Sequence, residues 1–154
     1  MRIRVIGVGT RRGDDAAGLI VAEILSRQAL PAGITVRLCE RPGADLMDEM
    51  EGADAVVIVD GTRSGRPAGT VRRVRPGEIA AGSTLSTHAM GVREALGLAS
   101  ALGRGPARVE IVGIEAGDAG EGELSAAVRD SIPLAVASVR AAIDEIASGA
   151  PRLP

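Results

Sequence analysis

The order of apolar runs and helical patterns along the chain predicts an α/β fold: a mostly parallel sheet covered by helices on both faces. Three observations carry that prediction. Short apolar runs alternate with stretches of helical periodicity. One run, AVVIVDG (Ala55–Gly61), is apolar throughout, as in a strand with no face in water. Another, TVRRVRP (Thr70–Pro76), alternates apolar residues with Arg, as in an edge strand with one wet face.

The elements follow in order. IRVIGVG (Ile3–Gly9) reads as a strand ending in glycines, and a helix is expected from about Asp15 to Arg27 with Ile20 and Ile24 on one face. LPAG (Leu30–Gly33) breaks it, ITVRLCE (Ile34–Glu40) is the second strand, and a short helix from about Asp45 to Glu51 precedes the apolar third strand. The run Thr70–Pro76 follows too closely for a crossover helix, so it is expected to run antiparallel to the rest. A Gly/Ser/Thr-rich loop that holds His88 leads into a helix from about Val92 to Leu102, closed by Gly103. RVEIVGIEA (Arg108–Ala116) is the fifth strand. In the C-terminal helix Ile132, Val136, Val139, Ile143 and Ile146 recur at helical spacing, with Pro133 expected in its first position and Ser131 as its cap. The chain reads as one domain over residues 1–148 with a flexible tail at 149–154.

Composition narrows the function. A chain of 154 residues can bury roughly 70% of its unfolded surface, enough for one core. The formal net charge is −2 and Phe, Tyr and Trp are absent, so neither a basic field nor a stacking platform invites nucleic acid. Lys and Asn are absent too, and every basic residue is Arg, a bias that GC-rich coding produces. A single cysteine, Cys39, excludes an internal disulfide and a cysteine-based zinc cluster. No apolar run approaches a membrane span and the N-terminus does not resemble a signal peptide, so the expectation is a soluble, cytoplasmic monomer without a membrane partner.

In open α/β sheets, ligands bind beyond the carboxyl ends of the strands. Asp14 and Asp15 follow the first strand, Asp60 ends the third, and His88, the one histidine, follows the fourth. Two carboxylates and an imidazole could hold Zn²⁺ or Ni²⁺ or carry acid–base hydrolysis. Each also has a plain reading. Asp14 suits a helix N-cap, Asp60–Gly61 a turn, and a lone histidine a structural contact. Glu115, at the end of the fifth strand, is a lesser candidate read as solvated, and Cys39 is read as a packing residue within its strand.

Competing motifs fail. The stretch GVGTRRGDDAAG (Gly7–Gly18) begins like a dinucleotide loop, but Arg12 stands where the third glycine belongs. Its two carboxylates would also repel a pyrophosphate, although Glu40 at the end of the second strand suits a ribose. There is no G-K-[ST] for a P-loop and no G-x-S-x-G nucleophile elbow. No nucleotide cofactor is expected.

Taken together, GVG…GDDAAG, VVIVDG, STHAMGVREALGLA and VEIVGIE resemble the hydrogenase maturation proteases, in order from about Arg2 to Ile146. Members of that family trim the C-terminal extension from the large-subunit precursor of NiFe hydrogenases. The resemblance implies a three-layer α/β/α sandwich, phosphorylase/hydrolase-like, with a five-stranded, mostly parallel, mixed sheet. It implies a site at Asp15, Asp60 and His88, associated with nickel that arrives with the substrate. It also implies a hydrogenase large-subunit precursor as partner. Two positions depart from the pattern: Thr10 stands where the family usually has Asn, and RPGADL (Arg41–Leu46) replaces the usual G-T-x-G loop. Two other readings of the same constellation are a metal-dependent peptidase or amidase with its own ion, and a nickel-binding accessory module without activity.

Overall fold

A computed structural model describes residues 1–76, 78, 87–117 and 122–152, excluding the side chains of residues 44 and 87–90. The strands are β1 (Ile3–Val8), β2 (Ile34–Cys39), β3 (Ala55–Thr62), β4 (Val71–Val74) and β5 (Arg108–Glu115). They form one five-stranded sheet in the order β2-β1-β3-β5-β4. All pairings are parallel except β4 with β5, so the run expected to reverse does so, at the sheet edge.

Side-chain alternation along the strands divides the core in two. On one face Ile3, Val5, Val57, Val59, Val112 and Ile114 meet α1 (Ala17–Ser26) and the C-terminal helix α4 (Ala126–Ala147). On the other, Ile6, Val8, Val56, Ile58, Val74 and Ile111 meet α2 (Ala44–Met50) and α3 (Thr87–Ala101). The result is the three-layer α/β/α sandwich. β3 is buried along its whole length, whereas the edge strand β2 alternates with solvent.

Two glycines set how closely α1 approaches the sheet. A Cβ on Gly7 would lie 2.4 Å from the Gly18 carbonyl oxygen, and a Cβ on Gly18 would lie 2.3 Å from that of Val59 and 2.5 Å from that of Val8. Gly7 and Gly18 of GVGTRRGDDAAG therefore serve helix-on-strand packing.

Three expectations about helix ends are corrected. The chain enters α1 through a 3-10 turn, Gly13–Ala16, and Asp14 makes no capping bond there. α3 begins at Thr87 instead of about Val92, so His88 lies in a first helical turn. α4 begins at Ala126 with Ser125 as its N-cap, so Pro133 is inside the helix and Ser131 is no cap. Pro133 removes one bond to the carbonyl of Arg129, an exposed residue whose carbonyl water can satisfy. The Ser131 hydroxyl instead donates to the Val128 carbonyl at 2.7 Å.

The remote end of the sheet is tied by charge. Glu110 accepts from Arg73 Nη2 at 3.0 Å and from Arg108 Nε at 2.9 Å, and Arg73 also reaches Glu145 of α4 at 3.1 Å. Arg108 Nη1 donates to the Ala150 carbonyl at 2.6 Å. Burial pushes the Glu110 carboxyl up, but the bonds from Arg73 and Arg108 outweigh it and hold the carboxyl below its ordinary 4.5. A depressed carboxyl stabilises the fold above its unfolded value and loses that contribution as pH falls. Glu110→Gln should therefore lower Tm at pH 7 by about 3–12 °C, given about 1.5–3 kcal/mol for bonds to charged groups. The gap from wild type should close below about pH 4.5. Thermal melts of both proteins from pH 3 to pH 8 check this; a gap independent of pH refutes it.

Candidate active site

The strand order reverses between β1 and β3, which opens a crevice at their carboxyl ends. Val8 ends β1; Asp60, expected to end β3 or to turn there with Gly61, stands one residue beyond the Gly7–Val59 pair and inside the strand, which runs on through Gly61 to Thr62 alongside β5. On the far side Asp60 pairs with Gly113 of β5, which has no side chain to cover it. The register thus places Asp60 between a small apolar neighbour and a glycine. Alternation turns its side chain to the face shared by Ile58, α2 and α3.

Asp60 is 4% exposed. Its Oδ1 accepts from the Gly61 N–H at 2.8 Å, while Oδ2 is buried without a hydrogen-bond partner among the described residues. Burial pushes this carboxyl well above the usual range, and the nearby charge of Asp15 adds to the shift. The structure therefore brings Asp15 and Asp60 within electrostatic range of each other. Asp15 sits in the 3-10 turn and is partly exposed. His88 begins the helix on the same face as Asp60, but its side chain lies outside the described residues. Among the described residues no group of three His, Cys, Asp or Glu could hold a metal ion.

Asp14 and Glu115 play parts that sequence reasoning missed. Asp14 is 3% exposed and serves a different helix from the one it precedes. Its Oδ1 accepts from the Ser125 N–H at 2.7 Å, and its Oδ2 accepts from the Gly117 N–H at 2.8 Å and the Ser125 hydroxyl at 2.9 Å. Glu115, expected to be solvated, is also 3% exposed. Its Oε1 accepts from the Ser64 and Gly65 N–H groups at 2.7 and 3.1 Å. Its Oε2 accepts from the Thr62 and Ser64 hydroxyls at 2.7 and 2.9 Å. Burial raises the Glu115 carboxyl, and these bonds more than reverse that, leaving it lowered. The sequence signal was small: Ser and Thr at and beyond the strand ends that face Asp14 and Glu115.

Cys39 behaves as a packing residue. It is 3% exposed, and burial pushes its thiol up to about 11, so it is no thiolate at neutral pH. Glu40 is exposed and lies 3.8 Å from Arg11 Nε. The replaced loop Arg41–Leu46 packs on α3: a Cβ on Gly91 would stand 2.9 Å from Pro42 Cβ and 3.3 Å from the Gly43 nitrogen. That contact explains the glycine three residues after His88.

No helix among the described residues is long and apolar enough to cross a membrane. The sequence profile of the hydrogenase maturation proteases matches residues 22–142, a stretch that carries Asp60 and His88 and begins after Asp15. The chain is 30% identical over 138 residues to the hydrogenase expression/formation protein HupD of Bradyrhizobium diazoefficiens, covering 85% of this chain and 72% of that one. Its fold superposes on the hydrogenase maturating endopeptidase HybD of Escherichia coli with a TM-score of 0.81 at 26% identity, over 94% and 93% of the two chains. The NiFe hydrogenase maturation protease HybD of Thermococcus kodakarensis gives 0.71 at 27% identity, over 91% and 97%. With sequence profile, relative and fold in agreement across most of its length, the chain belongs to the hydrogenase maturation protease family and is a hydrolase of the endopeptidase type.

Proposed function

We propose that this endopeptidase removes the C-terminal extension of a NiFe hydrogenase large-subunit precursor, with Asp15, Asp60 and His88 gripping nickel carried by that substrate. The supporting observation is Asp60 Oδ2, a buried carboxylate oxygen without a hydrogen-bond partner among the described residues. Such an atom is costly unless a ligand satisfies it, and a cation supplies what the protein does not. Asp15 adds a second carboxylate across the crevice, an oxygen donor type that suits nickel together with imidazole.

In this reading nickel in the precursor anchors the scissile segment at the crevice. A water held by the metal or by a carboxylate would attack the peptide carbonyl, and the proton it gives up would pass to the departing amine as the C–N bond breaks. An empty precursor lacks the anchor, so nickel loading becomes the licence to cleave. In this reading the reaction takes place in the cytoplasm, with nickel brought by the precursor and no nucleotide.

His88→Ala should abolish cleavage of nickel-loaded precursor, while circular dichroism and Tm stay at wild-type values. A gel-shift assay with loaded and nickel-free precursor reads this directly. Normal cleavage by the variant would remove His88 from the site; equal cleavage of both precursors by the wild type would remove nickel.

A further inference from the structure

Two buried carboxylates bind together the turn that carries Asp15 and the loop that follows Asp60. Asp14 runs from the turn after β1 to the loop after β5, through Gly117 and Ser125. Glu115 runs from the end of β5 to the loop after β3, through Thr62, Ser64 and Gly65. The Gly13 N–H adds a backbone bond to the Gly122 carbonyl at 2.8 Å. The chain of contacts is closed: Asp15 is the neighbour of Asp14, Gly117 lies two residues from Glu115, and Thr62 lies two residues from Asp60.

We infer that Asp14 and Glu115 are positioning residues, which hold Asp15 and Asp60 at a set separation across the crevice. The inference rests on the assignment of those two acids to the active site. A like-charged pair repels and would spread if carried on free loops. Two buried carboxylates, accepting seven bonds between them, oppose that spreading. Neither needs to reach the substrate.

The donors on each acid differ, and this separates positioning from simple burial. Each oxygen of Asp14 faces a backbone N–H, which can only donate. In Asp14→Asn one orientation of the amide sets its NH₂ against Ser125 N–H, and the other sets it against Gly117 N–H. Glu115 is divided instead: Oε1 faces two backbone N–H groups and Oε2 faces two hydroxyls. In Glu115→Gln the NH₂ can face the hydroxyls, which turn to accept, and every contact survives.

The test measures kcat and KM on a nickel-loaded large-subunit precursor that the wild type cleaves, with Tm alongside. Asp14→Asn should lose about 30- to 100-fold in kcat, the range expected for a displacement on the order of 1 Å, with KM within about twofold. Glu115→Gln should stay within about threefold of wild type, and Glu115→Ala should fall with Asp14→Asn. Glu110→Gln, at the remote end of the sheet, controls for lost stability: its kcat should be unchanged at a comparable loss of Tm. Wild-type kcat in Asp14→Asn, or an equal loss in Glu110→Gln, overturns the inference. Asp15→Asn separates the two levels. If it is inactive while Asp14→Asn is normal, only the positioning role falls. If Asp15→Asn itself cleaves at the wild-type rate, the assignment of Asp15 falls and the inference with it.

Discussion

Asp60→Asn should give a protein that is inactive and more stable than the wild type. The activity loss follows from the proposed grip on nickel: an amide is a weaker ligand than a carboxylate, and the crevice offers Asp60 no substitute among its described neighbours. A fall of at least about 100-fold in precursor cleavage is expected, comparable to losing one group that stabilises charge in the transition state. The stability gain follows from burial. Asp60 is 4% exposed, one oxygen lacks a hydrogen-bond partner among the described residues, and Asp15 repels it. A group whose folded pKa is raised costs nothing below its unfolded value and destabilises the fold increasingly as pH rises toward the folded one. Removing the charge should recover about 1–2 kcal/mol at neutral pH, or roughly 2–8 °C in Tm. The gain should shrink below about pH 4, where the unfolded carboxyl is protonated as well. Calorimetry across pH, paired with the cleavage assay, checks both halves. A variant that cleaves normally contradicts the role of Asp60; one that melts lower at pH 7 contradicts the account of its burial.

The second large effect is on the scaffold. Gly18→Ala places a methyl group 2.3 and 2.5 Å from two carbonyl oxygens of adjacent strands, and neither is the far end of a flexible side chain. Helix α1 must lift from β1 and β3, which opens the core around Val21 and Leu25. Overpacking of this kind costs about 1–3 kcal/mol where side chains can adjust, and backbone cannot, so at least about 3 kcal/mol is expected. Tm should drop by about 6–12 °C. The 3-10 turn holding Asp15 joins α1 directly, so whatever folds should cleave poorly. Gly97→Ala is the matched comparison. It lies on the exposed side of α3 with nothing within 4 Å of the added methyl. There the same substitution should stabilise by up to about 1 kcal/mol. If both variants melt alike, close packing at Gly18 is not what requires the glycine.

Much of the architecture was legible because the signals that specify it are short-ranged. The apolar run at β3 announced a strand covered on both faces, and the Arg alternation at β4 announced an edge. The brief connection between them ruled out a crossover, which required the reversal seen against β5. Helix ends were less legible. Pro133 suits a helix start as well as an interior turn with a hydrated carbonyl, and the choice depended on Val128 being buried by the sheet. His88 was placed in a loop because the segment that holds it, which runs up to Gly91, is rich in Gly, Ser and Thr. Gly91 is there for contact with Pro42 and Gly43, forty-eight or more residues away in sequence.

The adjacent acids of GVGTRRGDDAAG mark the boundary between what local pattern determines and what tertiary structure decides. From sequence alone the stretch is a strand-to-helix turn, its carboxylates exclude a bound pyrophosphate, and Asp60 lies near the carboxyl end of a buried strand at the same sheet edge. These conclusions depend on residue type and spacing within one element. Which acid is a structural tie and which faces the crevice depends on partners that only the fold supplies. Asp14 is satisfied by Gly117 and Ser125, over a hundred residues away, and Glu115 by Thr62, Ser64 and Gly65. Asp60 is left with a buried oxygen that lacks a hydrogen-bond partner among the described residues, because its neighbour across the ladder, Gly113, has no side chain to offer one. Desolvation and hydrogen-bond satisfaction are sums over neighbours, and in a parallel sheet those neighbours come from strands far apart along the chain.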